Sequence, residues 1–546
     1  MLDSANRSMR VKQVYTDLNR KFEEEETERT AQTQKIAYLN LYGFPIDTQA
    51  LKLLPKETAL AYGCALFYKE GRSLKLGVVE SQNQINTVIE QLEGQGYTVE
   101  QYLISKSSFA HVLEGYGKII ASVRHEDAIN LLSTDPRFKV GSLKQLAAKI
   151  EQISSTEAIE DLIGSALFLD ASDIHLEPEK SVLKIRFRID GVLQDVASTG
   201  IDSHHQLVSR IKLLSKMKLN VTATPQDGSF SLTYDKQPVD VRASVLPSAF
   251  GESIVMRLLR QDKGSLKFDE LGIVGLARER ILKEMDKPNG MILTTGPTGS
   301  GKTTTLYAVL NKLNEAGVKI ITLEDPVEYK IEGITQTPID SRSGMTFASA
   351  LRAVLRQDPD IVMVGEMRDL ETAEIACQAA LTGHIVLSTL HTNDAPSAIP
   401  RLLDMGIKPF VLAPAINAII AQRLLRKICE HCKEAYKLSP NLQSRVETIL
   451  KAIPKSSQAD IPKKLVFHHS KGCEKCHGLG YKGRMGVYEV FAIGNEIEKL
   501  ITRGATTTEI KNQAIAEGML TMAQDGILKA LKGVTDVEEV FRVTEE

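Results

Sequence analysis

The sequence predicts an α/β protein whose largest domain, residues 265–425, is a doubly wound parallel sheet. In this region apolar strands alternate with helical patterns, which is the order of elements that builds such sheets. A glycine-rich turn at residues 296–304, GPTGSGKTT, joins an apolar strand to a helix, and acidic sequences at residues 320–329 and 358–369 include the ends of two further strands. Because the chain has 546 residues, a typical size of roughly 150 residues per domain predicts three or four domains.

The composition is that of a globular protein with no general attraction to nucleic acid or acidic lipid. Hydrophobic residues make up 42% of the chain, charged residues make up 25%, and the net charge is −2. The N-terminus lacks an apolar signal core, and the longest apolar run, residues 410–421, is interrupted by Pro414 and Asn417, whereas a membrane span needs about 18 apolar residues. We therefore expect a cytoplasmic protein that meets a membrane only through partners.

The chain before residue 156 is predicted to hold a helix, a small domain and a linker. Residues 1–35 predict an amphipathic helix followed by a solvated acidic stretch at 23–26. Residues 36–120 alternate short strands with helical patterns, which predicts a small α/β or α+β domain, and residues 121–155 are predicted to be helical, polar and partly a linker. The apolar positions of the first helix are Val11, Val14, Tyr15, Leu18 and Phe22.

Residues 156–262 are predicted to form an α+β domain. The stretch LKIRFRI at residues 183–189 alternates apolar and charged side chains, as a half-buried strand does. Further strands are predicted at 230–234, 239–245 and 254–259, with a helix at 206–217 and a turn at 226–228. Most surface arginines are only solvated or weakly paired, so a functional interpretation applies only if this domain faces a nucleotide. The arginines that project from these elements are Arg188, Arg210, Arg242 and Arg257.

The turn at residues 296–304 has the spacing G-x-x-x-x-G-K-T of a phosphate-binding loop. Gly296 and Gly301 allow backbone conformations that place consecutive N–H groups around an anion, at the positive end of a helix dipole. Lys302 is predicted to reach the β- and γ-phosphates, and Thr303 to offer its hydroxyl to Mg²⁺. A turn that is merely rich in small residues is the alternative. The predicted nucleotide-binding residues are Gly296, Pro297, Thr298, Gly299, Ser300, Gly301, Lys302, Thr303 and Thr304.

Carboxylates and a histidine follow the strands of the same domain. Glu324 and Glu366 are delivered by two apolar strands to the sheet edge where ligands bind, and Glu328 lies close behind Glu324. Hydrolysis needs a carboxylate near Mg²⁺ and another that polarises water, although carboxylates at strand ends are otherwise often helix caps. Gly365 stands where an Asp commonly precedes the glutamate, so Glu366 acts alone or shares metal binding with Glu324. His391 either senses the γ-phosphate or is a structural residue.

Four of the six cysteines form two C-x-x-C pairs, Cys429 with Cys432 and Cys473 with Cys476. Two such pairs can present four thiolates tetrahedrally to Zn²⁺, and a redox pair or unligated thiols are the alternatives. The 40 residues between the pairs exceed the compact spacing of about 15–20 residues, so an intervening substructure must bring the pairs together. We expect a metal-binding subdomain at residues 426–490 and a helical region at 491–546.

Several motifs together resemble the secretion ATPases that power type IV pilus assembly and type II protein secretion, often called PilB-like or GspE-like proteins. The resemblance runs from ASDIHLEP at residues 171–178 to the C-terminus. The two cysteine pairs restrict the resemblance to the assembly and secretion branch of the family, because the retraction motors of the same superfamily lack the insert that contains these cysteines. Apart from the phosphate loop and the histidine segment, the motifs are RIDG at 188–191, PQDG at 225–228, FGE at 250–252, LEDPVEY at 323–329, LRAVLRQDPD at 351–360, GEMRD at 365–369 and GYKGRMGVYEV at 480–490.

The resemblance implies a RecA-like P-loop ATPase domain preceded by a PAS-like α+β domain, in a homohexamer that uses ATP, Mg²⁺ and Zn²⁺. The second domain is implied to close over a nucleotide and to supply arginines, of which Arg242 is the best candidate and Arg210 the next. Residues 261–271 are the expected hinge for this closure. The motor is implied to drive an inner-membrane platform protein and to dock on a cytoplasmic anchoring protein through its N-terminal domain. No nucleic acid is expected as a partner.

The chain departs from the family pattern beside PQDG. Family members usually carry an Arg directly after this motif, where Ser229 stands here, and Thr222, Ala223 and Thr224 replace basic residues before it. This departure could mean slow hydrolysis, or another arginine such as Arg257 could replace the missing one. The sequence also leaves open whether the motor serves pilus assembly or protein secretion. Two other classes compete with the motor. A nucleic-acid-translocating ring ATPase is disfavoured by the aromatic content of 5%, and a non-hydrolysing adaptor would use nucleotide only to set its conformation.

Overall fold

The chain divides, in the computed structural model, into two compact units, Met1–Leu259 and Arg260–Glu546. The structure describes residues 19–42, 44–80, 83–118, 129–138, 158–260, 267–340, 344–461 and 464–545. Three predictions fall wholly or partly outside these residues. They concern the first apolar positions of the N-terminal helix (Val11, Val14, Tyr15 and Leu18), most of the linker at 121–155, and residues 261–266 of the expected hinge.

The N-terminal unit contains a four-stranded sheet with strand order β1-β4-β3-β2. Its core includes Leu66, Phe67 and Leu76, all fully buried. The strands are β1 (Ala37–Tyr38), β2 (Cys64–Glu70), β3 (Ser73–Val78) and β4 (Thr98–Leu103), and the helices are Thr48–Leu53, Lys56–Tyr62, Asn83–Gly94 and Lys106–Lys118.

The acidic run near the N-terminus is helical and partly buried. Residues 19–34 form a helix, in which Phe22 is exposed and Glu24 is buried. The Glu24 carboxylate accepts hydrogen bonds from the Tyr38 hydroxyl at 2.7 Å and from Ser105 Oγ at 2.5 Å. The prediction of a solvated stretch is wrong at Glu24, because hydroxyl donors replace water around the buried carboxylate.

The same unit contains a seven-stranded sheet with strand order β5-β9-β10-β11-β6-β7-β8. In β7 the residues Leu183, Ile185 and Phe187 are buried, as their alternation predicts. The strands are β5 (Asn130–Leu131), β6 (Ala171–Pro178), β7 (Val182–Ile189), β8 (Val192–Gly200), β9 (Gln226–Tyr234), β10 (Gln237–Ser248) and β11 (Gly251–Arg260). The helices are Ala158–Phe168, His204–Leu214 and the 3₁₀ turn Ile201–Ser203.

Two local expectations for this sheet are wrong. Residues 226–228, predicted as a turn, begin β9 and pair with β10. A Cβ on Gly228 would lie 2.1 Å from the main-chain oxygen of Ser215, so the glycine permits close packing of a strand and is not there for a turn. Part of the predicted linker also belongs to the sheet, because β5 pairs with β9.

The C-terminal unit is built on a seven-stranded sheet with strand order β14-β13-β15-β16-β12-β17-β20. All neighbours are parallel except β20, which runs antiparallel to β17. Met291 and Leu293 of β12 join one buried cluster and Ile292 joins another, so apolar side chains cover both faces, as in a doubly wound sheet.

The strands of this unit are β12 (Gly290–Thr295), β13 (Ile320–Glu324), β14 (Thr335–Pro338), β15 (Ile361–Val364), β16 (Ile385–Leu390), β17 (Ile416–Ile428), β18 (Lys433–Tyr436), β19 (Phe467–Ser470) and β20 (Tyr481–Ala492). The helices are Gly275–Met285, Lys302–Leu313, Phe347–Leu355, Leu370–Leu381, Ala398–Asp404, Pro409–Ala415, Pro440–Lys451, Asn495–Thr502, Thr507–Ala516, Met522–Leu531 and Val537–Thr544, with 3₁₀ turns at Phe268–Glu270, Lys455–Asp460 and Glu474–Cys476. Within the described ranges, none of the helices combines the length and the apolar character that crossing a membrane requires.

Candidate functional site

The phosphate loop lies between β12 and the helix Lys302–Leu313. Gly296, Gly299 and Gly301 have φ values of +147°, +79° and +88°, a region that favours glycine. The loop therefore leads directly into the N-terminus of a 12-residue helix, where unpaired N–H groups and the helix dipole favour an anion.

Lys302 is folded against its own loop. Its Nζ donates hydrogen bonds to the main-chain oxygens of Gly296 at 2.8 Å and Pro297 at 3.1 Å. Burial lowers the pKa of Lys302, and the charge of Glu366 opposes that shift. The loop that holds Lys302 and the segment that begins with His391 leave neighbouring strand ends, because Thr295 of β12 pairs with Leu390 of β16. Thr303 follows Lys302 in the first turn of the helix and is exposed.

Glu366 follows β15 and is surrounded by cationic or titratable side chains. Its Oε1 lies 2.5 Å from an Arg368 guanidinium nitrogen, and its Oε2 lies 3.3 Å from His391 Nε2. His391 directly follows β16, the strand between β15 and β12. The structure therefore brings Glu366, His391 and Lys302 to the same carboxyl edge of the sheet.

Glu324 is the last residue of β13 and is buried. Its Oε1 accepts hydrogen bonds from Thr322 Oγ1 at 2.5 Å and Gln336 Nε2 at 3.1 Å, and its Oε2 accepts one from the Tyr307 hydroxyl. Burial, together with the hydrogen bond and charge of Glu324, raises the pKa of Tyr307. Because both oxygens already have donors and Tyr307 belongs to the phosphate-loop helix, Glu324 connects β13 to that helix. Glu328 lies beyond the strand and is exposed.

The predicted arginines belong to the N-terminal unit. Arg210 lies on the helix His204–Leu214 and Arg242 on β10, and both are half-buried. In the ladder Arg242 pairs directly with Ser229 of β9. Arg257 of β11 is already in an ion pair, with its Nε 3.0 Å from Asp173 Oδ1.

The four predicted cysteine ligands meet at one point. Their sulfur atoms all lie within 4.8 Å of one another. The Cys429–Cys473, Cys432–Cys476 and Cys473–Cys476 sulfur distances are 3.8, 3.9 and 3.8 Å. Because Zn–S bonds are about 2.3 Å, the edges of a tetrahedral ZnS₄ site measure about 3.8 Å. The donor set and its spacing therefore fit Zn²⁺.

The insert between the cysteine pairs explains how they meet. β18 starts directly after Cys432 and β19 ends shortly before Cys473, and the two strands pair antiparallel with Lys433 opposite Ser470. Cys429 follows the end of β17, and Cys476 lies shortly before β20. Backbone N–H groups of Cys473 and Gly480 point at Cys476 Sγ from 3.1 and 3.3 Å, as N–H donors do around metal-bound thiolates.

Three residues that contact the carboxylates were missed in the sequence. Arg368 lies within the GEMRD motif, so its position beside Glu366 could have been inferred from its spacing. Tyr307 occupies an apolar position of the helix pattern, and Gln336 lies on β14, twelve positions from Glu324. Nothing in the local sequence of Tyr307 or Gln336 indicates a carboxylate partner.

Comparisons with known proteins identify the family. The sequence profile of the type II/IV secretion system protein family matches residues 149–542. Type II secretion system protein E of Aeromonas hydrophila is 39% identical over 511 residues, covering 91% of this chain and 97% of that protein. Type IV pilus assembly ATPase PilB of Myxococcus xanthus is 37% identical over 508 residues, covering 92% and 88%.

A solved structure supports the fold. The ATPase DotB of Yersinia pseudotuberculosis superposes with a TM-score of 0.53 at 18% identity, covering 77% of this chain and 99% of that one. The prediction of an α/β chain with a RecA-like P-loop domain and a four-cysteine insert is confirmed, as is the resemblance drawn from the motifs. The chain belongs to the type II/IV secretion system protein family.

Proposed function

We propose that this ATP-hydrolysing enzyme powers type IV pilus assembly (extension) or type II protein secretion, as a homohexamer that drives an inner-membrane platform protein. Its family includes proteins named for both processes. The observation that carries the proposal is that Lys302, His391 and Glu366 follow the carboxyl ends of the neighbouring parallel strands β12, β16 and β15, with His391 Nε2 3.3 Å from a Glu366 carboxylate oxygen. Such an edge can bind a triphosphate and direct water at its terminal phosphorus.

The chemistry divides among a few side chains. The loop N–H groups and Lys302 bind the β- and γ-phosphates, and Thr303 offers a ligand to Mg²⁺. Mg²⁺, when bound, neutralises phosphate charge. Glu366 polarises the attacking water, and its pairing with Arg368 and His391 orients the carboxylate. Glu324 acts mainly by positioning, because its oxygens already accept hydrogen bonds. Glu328, exposed behind it, is the remaining carboxylate near this edge.

Arginines of the N-terminal unit complete the site in the proposed cycle. Arg242 is preferred over Arg210 because it pairs directly with Ser229, the position at which family members usually carry an arginine. Directly paired residues of antiparallel strands project to the same face. A guanidinium delivered to the γ-phosphate during closure would stabilise the developing charge. Arg257 is the substitute, although its ion pair with Asp173 must then be exchanged.

Closure of the arginine-bearing domain over successive nucleotides would pass round the ring and turn the platform protein. Residues 261–271 are the proposed hinge, and residues 36–120 the proposed docking domain for a cytoplasmic anchoring protein. In this proposal the protein is cytoplasmic and attaches to the inner face of the cytoplasmic membrane through these partners. The cysteine centre would hold Zn²⁺ and stabilise the insert.

ATP turnover by the hexameric fraction tests the proposal. We expect magnesium-dependent hydrolysis that single-stranded DNA does not stimulate and that a lipid-embedded platform protein raises. Stimulation by DNA would favour a nucleic-acid translocase. Nucleotide binding without turnover, with and without the platform protein, would favour an adaptor.

A further inference from the structure

A buried glutamine lies beneath the phosphate loop. Gln422 belongs to β17, the parallel neighbour of β12, and directly follows Ala421, which pairs with Thr295 at the end of β12. The residue is 1% exposed. Its Nε2 donates a 2.6 Å hydrogen bond to the main-chain oxygen of Ser300. This hydrogen bond therefore attaches the loop to the neighbouring strand at Ser300, two residues before Lys302.

Two loop glycines pack against the same residue. A Cβ on Gly296 would lie 2.5 Å from the main-chain oxygen of Gln422, and a Cβ on Gly301 would lie 3.0 Å from its Nε2. Positive φ values already favour glycine at both positions. Gln422 thus supports the loop at its first glycine and at its last.

Burying the polar side chain of Gln422 costs free energy, so its presence needs a reason other than filling space. Gln422 Oε1 is buried and has no hydrogen-bond partner within the part of the chain that the structure describes, and an unmade hydrogen bond to a buried oxygen costs free energy. The preceding residues Ile420 and Ala421 are apolar and fully buried. An apolar side chain would fill the space without that cost, but it could not donate the hydrogen bond to Ser300.

The strand beneath the loop is itself held from its other side. Gln422 pairs with Tyr488 of β20. The Tyr488 N–H donates to Asp525 Oδ2 at 2.9 Å, and its hydroxyl donates to the main-chain oxygen of Leu271 at 3.0 Å. The residue paired with Gln422 is therefore anchored on the side facing away from the loop strand, through both its backbone and its side chain.

The geometry points to Gln422 as a positioning residue of the phosphate loop. In a planar trans peptide the C=O and the following N–H point in opposite directions. Anchoring the Ser300 oxygen on β17 therefore turns the Gly301 N–H away from β17, toward the side on which an anion binds. The inference rests on the proposed function, in which residues 296–304 bind the phosphates of a nucleotide.

Two substitutions of similar shape test the role. Gln422→Met keeps the volume and removes the donor, and Gln422→Glu keeps the shape and replaces the donor with a charge. The probes are ADP and AMP carrying the same fluorescent ribose label, because only ADP extends to the β-phosphate. We expect a roughly 5- to 10-fold rise in the ADP Kd for Gln422→Met, a larger rise for Gln422→Glu, and no change for AMP. The KM for ATP should rise more than kcat falls.

Gln524→Met is the matched control. Gln524 is also buried, and its Nε2 also donates to a main-chain oxygen, that of Ala452, at 2.9 Å. This variant should lower Tm without changing the ADP Kd. An unchanged ADP Kd in both Gln422 variants would overturn the inference, and so would equal losses for ADP and AMP or failure of both variants to fold. A wild-type protein that does not bind labelled ADP would instead refute the proposed function.

Discussion

The nucleotide edge and the cysteine centre adjoin the same strand, β17, and are held in different ways. At the nucleotide edge, Lys302 bonds to its own loop and both oxygens of Glu324 have donors. At the cysteine centre, three of the distances between the four sulfur atoms are 3.8–3.9 Å and all lie within 4.8 Å, a spacing that fits a shared metal ion. The side chains of the first site are held by the chain's own hydrogen bonds, whereas the second has the geometry that a bound metal ion would complete. Substitutions at the nucleotide edge should therefore change ATP turnover, whereas substitutions at the cysteine centre should change folding stability.

Removing the lysine should give the largest effect on chemistry. Lys302→Ala deletes the charge that meets the β- and γ-phosphates, so we expect ATP turnover to fall at least about a thousandfold and labelled ATP to bind far more weakly. Zinc content and Tm should stay near wild type. Lys312→Ala, an exposed residue on the same helix, is the control and should keep full activity. Normal turnover in Lys302→Ala would place the nucleotide elsewhere.

Neutralising the carboxylate beside the lysine should separate binding from hydrolysis. Glu366→Gln keeps the shape but cannot polarise water as a carboxylate does, so kcat should fall by roughly 10²–10⁴-fold while labelled ATP still binds. Single-turnover measurements check both quantities. Glu371→Gln removes an exposed carboxylate that pairs with Arg352 and should leave kcat unchanged. If Glu366→Gln hydrolyses ATP at the wild-type rate, another group polarises the water.

Removing one cysteine ligand should have the opposite effect to the Lys302 substitution: it should lower zinc content and stability. Cys432→Ser should abolish stoichiometric zinc and destabilise the C-terminal unit by several kcal/mol, because metal binding contributes to folding. Elemental analysis and thermal unfolding, with and without a chelator, measure the two effects. Cys377→Ala alters a buried core cysteine outside the cluster and should keep the zinc. An unchanged Tm in Cys432→Ser would mean that the insert folds without its ion.

The sequence predicted what local patterns encode. Loop spacing located Lys302, the end of an apolar strand located Glu324, and the paired cysteines located the four-cysteine cluster. These signals are local because each chemical group needs neighbours at a fixed separation along the chain.

Other features depend on contacts between distant residues. The burial of Glu24 needs Ser105, the engagement of Glu324 needs Gln336, and the support of the loop needs Gln422. Gly228 was misread because glycine serves turns and close packing equally well, and only the position of Ser215 distinguishes the two.

A buried carboxylate at the end of β17 that adjoins the cysteine cluster gives the smallest and most specific prediction. Arg426, three residues before Cys429, donates from its main-chain N at 3.0 Å and its guanidinium at 2.7 Å to Glu539, and Arg542 donates to the same carboxylate at 2.6 Å. Burial raises the pKa of Glu539, but these donors outweigh it and hold the pKa below its usual value.

A depressed carboxyl pKa contributes stability that is present above the unfolded-state value, about 4.3, and is lost as pH falls through the folded-state value. Glu539→Gln should therefore lower the free energy of unfolding by about 3 kcal/mol at pH 7, and the deficit should shrink on acidification below about pH 4.3. Glu496→Gln, an exposed control that pairs with Lys499, should stay within about 0.5 kcal/mol of wild type. Calorimetry across this pH range makes the comparison. A stability deficit that persists unchanged into acid would mean that the shape of Glu539 matters and its charge does not. The ion pairs of Glu539 with Arg426 and Arg542 would then not explain how this end of β17 is stabilised.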